Sequence, residues 1–244
     1  MGIGGVTLGE PSRDERRALL EVLALAFRDN PMNQRIHGPL PHRRVRANRA
    51  GLRAVVLDSA SDAITRVLRI DGRVRGGLIA LPPGQRGLLR PRLVRQIGCA
   101  WHQGVRAMEQ WSRVHLELGA LRPPEPHWYL AVLGVDPRCQ GRGAGGMLLE
   151  ELSRLSARRP APFYLESDRE ASIRFYLAHG FALRASRRVL GVDCACLGRG
   201  FADAGPNSCD PVRVGARDPL EAQRPASPSG PSPSRSWRSR KGPE

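Results

Sequence analysis

Seven residues, Gln140-Gly-Arg-Gly-Ala-Gly-Gly146, place four glycines between an apolar stretch ending at Val135 and the leucine-rich run Met147–Leu155. Glycine lets a backbone approach a ligand closely and turn several N–H groups the same way, and the start of a helix adds the positive end of its dipole. Such a turn suits phosphate oxygens. The backbone of Gly141, Arg142, Gly143, Ala144, Gly145 and Gly146 is the candidate anion cradle, with the Arg142 side chain able to add a charge-assisted contact. Twenty residues beyond Gly146, Glu166 closes the apolar run Phe163-Tyr-Leu-Glu166. A carboxylate at a strand end facing a cleft can deprotonate or orient an amine, directly or through water. A salt bridge to one of the many arginines is an equal reading of the same residue.

Other reactive side chains are less suggestive. His102 and His115 stand thirteen positions apart, too far for a local metal pair, and read as surface or packing residues. The five cysteines are odd in number, irregularly spaced and without a C-x-x-C, which favours reduced thiols over a disulfide framework or a zinc site. Cys194 and Cys196 share one face of a strand, where packing is the expectation. No metal is implied.

The elements that must position these groups follow from periodicity. Tyr129–Val135, the glycine loop and Met147–Leu155 read as strand, loop and helix. Upstream, Gly5–Leu8 is a short strand, and Ser12-Arg-Asp-Glu15 is a capping box opening a helix through Phe27 that stops before Pro31. Pro31–Pro41 reads as loop. A second helix is expected over His42–Ala60 with Val45, Leu52, Val55 and Val56 inward, and with Arg43, Arg46, Arg49 and Arg53 along a solvated face. Asp71-Gly72 between alternating runs predicts a hairpin over 63–81. Residues 92–120 look helical and interrupted. After the central loop and helix come a strand Phe163–Glu166, a helix Ala171–His179 ended by Gly180, and strands over 181–190 and 192–197. Residues 201–244 hold eight prolines, seven serines and four glycines with little apolar periodicity, and are expected to form a disordered tail after a 1–200 domain.

Composition narrows the function classes. The 244 residues carry a formal charge of +16, contributed by 38 arginines and a single lysine. The arginines are spread along nearly every segment instead of clustering, which argues against nucleic acid, while a basic surface still attracts an anionic ligand. No apolar run approaches the roughly 20 residues a membrane span requires, and the N-terminal residues lack a signal-peptide pattern. A soluble cytoplasmic protein is expected.

Two patterns compete for the loop. Gly141-Arg-Gly143-Ala-Gly-Gly146 matches G-x-G-x-x-G, with Glu166 where a ribose-binding acid would stand. A doubly wound nucleotide domain needs several βαβ units, however, and only one more helix and two strand-like runs follow. The longer pattern Val135-Asp-Pro137-x-x-Gln140-Gly-Arg-Gly-Ala-Gly145 resembles the acetyl-CoA-binding motif of the GNAT N-acetyltransferases. Ser172-Ile-Arg-Phe-Tyr176-Leu-Ala-His-Gly180-Phe181 resembles the family's next segment. Within the family, Arg122-Pro-Pro-Glu-Pro-His-Trp-Tyr129, Tyr164-Leu-Glu-Ser167 and the N-terminal Ala26-Phe27 with Asp29-Asn-Pro31 look most like the puromycin N-acetyltransferase group.

The resemblance spans residues 5–199. It implies a mixed α/β fold with a central, splayed sheet of six to seven strands flanked by helices. It also implies direct transfer of acetyl from acetyl-CoA to an amine of a small molecule or peptide in a ternary complex, by a monomer or homodimer. It assigns Tyr176 as general acid, Gln140 as the residue opening the loop, and the backbone of Leu133, Gly134 and Val135 as partner of the pantetheine arm, with Gly134 suited to a bulge. Many relatives carry an asparagine that contacts the cofactor where Arg169 stands here. A non-catalytic acyl-CoA-binding module is the alternative.

Overall fold

The computed structural model describes residues 5–57, 63–85 and 104–202. Trp101, His102, Cys99 and the 203–244 part of the expected tail lie outside the described residues.

The chain opens with strand β1 (Val6–Gly9) and helix α1 (Arg13–Ala26). The capping box is present: the Glu15 N–H donates to Ser12 Oγ (3.3 Å) and the Ser12 N–H to Glu15 Oε2 (2.8 Å). The expected loop at Pro31–Pro41 is instead mostly a helix, α2 (Pro31–His37). Proline stops a helix arriving from upstream but also starts one, because its missing N–H would be unpaired in the first turn. Here Pro31 does both. Helix α3 (Pro41–Leu57) begins one residue earlier than expected. Its arginine stripe is exposed, but the intervening Arg44 is buried. The Arg44 guanidinium donates to the carbonyls of Arg28, Gly38 and Pro39 and to Asp29, tying together the turns on both sides of α2.

Strands β2 (Ile64–Ile70) and β3 (Arg73–Leu81) form the expected hairpin, with Asp71 and Gly72 both at positive φ (51° and 71°), as a two-residue type I′ turn requires. Helix α4 (Val105–Gly119) precedes the central strand β4 (Trp128–Val135). A 3₁₀ turn (Pro137–Cys139), helix α5 (Ala144–Ser156), strand β5 (Phe163–Ser167), helix α6 (Glu170–Ala178) and the hairpin β6 (Ala182–Val189) and β7 (Val192–Arg199) complete the described domain.

The seven strands form one mixed sheet in the order β1-β2-β3-β4-β5-β7-β6. All neighbours are antiparallel except β4 and β5, which run parallel and pair at only two positions, Trp128 with Phe163 and Tyr129 with Tyr164. Beyond Tyr129 the two strands diverge. That splay faces the residues the sequence singled out.

Two further details shape β4. Its register against β3 slips between Val132 and Leu130, so the bulged residue is Ala131. Gly134, expected at a bulge, lies in regular register opposite Gly77. The slip reverses the alternation of the strand: Trp128 and Leu130 before it, and Leu133 and Val135 after it, pack with Leu148 and Leu149 of α5. The paired glycines have a packing role. A Cβ on Gly134 would lie 2.6 Å from Leu23 Cδ2, and one on Gly77 would lie 2.6 Å from Leu19 Cδ1. Leu19 and Leu23 are one helical turn apart on α1, so the glycines open a flat strip into which that helix settles.

Candidate functional site

The glycine loop is positioned from below by buried charge. Asp136 is 2% exposed and accepts from the Arg138 N–H (3.0 Å), the Arg138 guanidinium and Arg75 Nη1 (3.0 Å). Hydrogen bonds from Arg138 hold its carboxyl below the usual range despite the burial. Gln140 Nε2 donates to the Val135 carbonyl (2.9 Å), closing the loop onto the end of β4. Gly141 and Gly143 adopt positive φ (74° and 83°), and a Cβ on either would meet nothing within 4 Å. Their conformation, not crowding, demands glycine there. Gly143 is the N-cap of α5, and its side-chain-free cap leaves the first-turn N–H groups of Ala144, Gly145 and Gly146 without the intrahelical partner that later residues have. Gly145 and Gly146 lie against Phe175 of α6 and its C-cap His179, at 3.0 and 3.1 Å from a notional Cβ, so they bring the two helices together. The Arg142 side chain is exposed beside the open turn, and Arg169 occupies the N-cap position of α6 without a side-chain capping bond.

Tyr176 belongs to the core under the loop. It is 7% exposed and clusters with Ala144, Leu148 and Phe181. Burial pushes its hydroxyl above the ordinary tyrosine value, so it stays protonated.

On the opposite face of the sheet, the turn after α1 and helices α2, α3 and α4 enclose a cavity of about 420 Å³. Ala131 and Val132 line it from β4, and Glu166, Ser167 and Asp168 from the end of β5. The cavity therefore sits over the divergence of the two strands. Leu133, Gly134 and Val135 continue β4 along the edge that β5 leaves unpaired.

Glu166 is neither a free base nor a surface residue. Its carboxylate accepts from Arg122 Nε (2.9 Å) and from the Tyr129 hydroxyl (2.6 Å), and the Arg122 guanidinium lies 4.0 Å above the Tyr129 ring. Burial, reinforced by Glu166, raises the Tyr129 hydroxyl well above its ordinary value, so the tyrosine serves as a fixed donor. The segments Arg122–Tyr129 and Tyr164–Ser167, far apart in sequence, thus meet in one cluster. This arrangement also removes Glu166 from a ribose-binding role, and the antiparallel neighbours of β4 and β7 exclude a doubly wound nucleotide domain.

Several cavity residues had no signal strong enough in sequence. Asp168 accepts from the Met32 N–H (2.7 Å) and Asn30 Nδ2 (3.3 Å), and its burial raises its pKa. His115, expected to be a surface or packing residue, is exposed, stacks on Trp111 with centroids 5.9 Å apart and lines the cavity, whose surrounding walls lower its pKa. The Trp111 indole donates to His37 Nε2 (3.2 Å), and burial lowers that histidine's pKa. Cys194 and Cys196 are buried on β7. Among the described residues no group of three His, Cys, Asp or Glu side chains could hold a metal, and no helix is long and apolar enough to cross a membrane.

The seven-stranded mixed sheet, flanked by helices and splayed between its two parallel strands, matches the fold of GNAT acetyltransferase structures. Residues 67–181 match the model of the acetyltransferase (GNAT) family. A 78-residue segment is 36% identical to a mycothiol acetyltransferase of Nocardiopsis dassonvillei, covering 30% of this chain and 23% of that protein's length. Among solved structures, a Corynebacterium glutamicum protein described as histone acetyltransferase HPA2 and related acetyltransferase superposes with a TM-score of 0.54 at 20% identity, covering 82% of this chain and 98% of the other. The PaiA N-acetyltransferase of Thermoplasma acidophilum, solved with coenzyme A, superposes with a TM-score of 0.51 at 13% identity, covering 81% and 99%. Both establish likeness of fold.

Proposed function

We propose that this protein is an acetyl-CoA-dependent N-acetyltransferase acting directly on the amine of a small molecule. The observation that carries the reading is the placement of the glycine loop and a cavity of about 420 Å³ on opposite faces of the splay between β4 and β5. The backbone of Gly141–Gly146, with Arg142, takes the phosphates, and Arg169 serves the cofactor from the start of α6. The free edge of β4 at Leu133, Gly134 and Val135 pairs with the pantetheine arm, and an N–H in this region steadies the developing oxyanion.

The amine nitrogen attacks the thioester carbonyl from the cavity side. As the carbon–sulfur bond breaks, the thiolate takes a proton and the amine gives one up. Tyr176, kept protonated by burial, is the donor toward sulfur; its acidity is too weak for an early full transfer, so hydrogen bonding is its main contribution. Glu166, held by Arg122 and Tyr129, orients the amine or a bridging water more readily than it strips a proton. The likeness of the Arg122–Tyr129 and Tyr164–Ser167 segments to the puromycin N-acetyltransferase group supports a small xenobiotic acceptor. The prior engagement of Glu166 is what favours the second reading, a non-catalytic acyl-CoA-binding module.

A thermal-shift titration of the purified chain with acetyl-CoA, CoA, NAD and NADP tests the reading, since a ligand that binds only the native state raises the melting temperature. Acetyl-CoA and CoA should stabilise and the nicotinamide nucleotides should not, and thiol release should follow when amines are added. A shift with NAD or NADP alone would overturn the cofactor assignment. Stabilisation by acetyl-CoA without thiol release from any amine would favour the binding-module reading.

A further inference from the structure

Asn33 is 6% exposed and lines the cavity. Its Nδ2 donates to the Phe27 carbonyl at 2.8 Å, which fixes the amide, and its Oδ1 has no partner among the described residues. A buried acceptor left without a donor is costly, and Asn33 belongs to the cavity lining, so a ligand that supplies an N–H there accounts for it. Asp168 lies against the same turn of α2, bonded to Asn30 and to the Met32 N–H. Both of those donors are neutral, and no cationic side chain among the described residues forms an ion pair with this carboxylate.

The charge balance of the wall then decides what fits. Glu166 is neutralised by Arg122. Burial against the cavity wall lowers the pKa of His37, and of His115 despite the opposing pull of Glu166, so the wall disfavours a positive charge on either ring. Among the described charged lining residues Asp168 is the one without an ion pair; the adjacent Arg169 favours its charge only from a distance, and burial, the largest influence, works against that charge until a cation arrives. Trp111 and Phe27 add aromatic surface beside it, to which a cation is also attracted.

We propose that Asp168 and Asn33 form a recognition site for an ammonium group on a compact molecule with an aromatic or apolar body, and that this molecule is the acetyl acceptor. Only the last clause rests on the transferase reading. An ammonium supplies several N–H donors and the missing positive charge at once. A neutral isostere satisfies Asn33 at best, and an anion of the same shape is repelled by Asp168.

Calorimetric titration of the whole chain with phenethylammonium, 2-phenylethanol and 3-phenylpropionate tests this without any acyl donor. The ammonium should bind at least tenfold tighter than the alcohol, and the carboxylate should not bind. Asp168→Asn, whose amide oxygen can still accept from the Met32 N–H, should weaken the ammonium at least tenfold and leave the alcohol unchanged. Asn33→Leu should weaken it severalfold, and carries the test if the Asp168 variant does not fold. Equal binding of ammonium and alcohol, or ammonium affinity that survives both substitutions, would overturn the proposal. Ammonium binding that depends on Asp168 in a protein never stabilised by acetyl-CoA would uphold the recognition site and refute the transferase. Acetylation of amines indifferent to both residues would refute the recognition site and leave the transferase standing.

Discussion

Tyr176 shows how one side chain can carry two demands that substitution separates. Its ring stands edge-on to Phe175 and Phe181, with centroids 5.1 and 5.5 Å away, while its hydroxyl is the group we propose for the chemistry. Tyr176→Phe keeps the ring and removes the hydroxyl. A hydrogen bond to a charged partner is worth about 1.5–3 kcal/mol, so turnover should fall roughly ten- to a hundredfold while acetyl-CoA affinity and the melting temperature stay nearly unchanged. Steady-state kinetics beside a melting curve checks this, and a large loss of stability would assign the residue to packing alone. At this scale the sequence was only partly legible. The glycines of the loop announce themselves because positive φ leaves few alternatives. The Arg122 and Tyr129 contacts of Glu166 span 44 and 37 positions, and Asp168 reaches across 136 residues to Met32. No local pattern reports such distances.

Among the elements, the paired glycines of β3 and β4 make the sharpest demand. Gly77→Ala should destabilise more than Gly134→Ala, because its Cβ meets the Arg66 carbonyl as well as Leu19, both at 2.6 Å, whereas the closest atom to the Cβ of Gly134→Ala is Leu23 Cδ2, the end of a side chain that can rotate. Overpacking of this kind costs typically 1–3 kcal/mol, and urea unfolding of the two variants gives the ordering. Gly134 illustrates why an element can be read correctly and its details missed. A glycine in a strand signals either a bulge or a close approach, and only the position of α1, set by tertiary packing, distinguishes them. The β2–β3 hairpin and the capping box were legible because their determinants lie within a few residues. The α2 helix was not, because Pro31 is compatible with both a stop and a start.

For the whole molecule, the coupling of α1 to the sheet predicts a pH response. Glu15 accepts from Arg69 on β2 (2.9 Å to Nη2) while completing the capping box, and the Arg69 bond, first among several, holds its pKa at about 2 against an ordinary 4.5. A carboxyl depressed on folding contributes stability that is complete above its unfolded pKa and is lost as pH falls through the folded value. The advantage of the native protein over Glu15→Gln should therefore be full at neutral pH, decline below about pH 4.5 and vanish near pH 2. Melting temperatures of both proteins across that range check it. A constant difference would mean that the charge is not what joins α1 to β2.

The two residue pairs that join β4 to β5 have a mechanical meaning as well. The sheet is two leaves, β1–β4 and β5–β7–β6, sharing a backbone seam only two rungs long. Amides within each leaf should exchange with deuterium slowly and together, while the unpaired edge of β4 exchanges early. A molecule lodged in the gap would act as the missing rungs, so its arrival should register first as slowed exchange on that edge and as coupled opening of leaves that otherwise breathe apart.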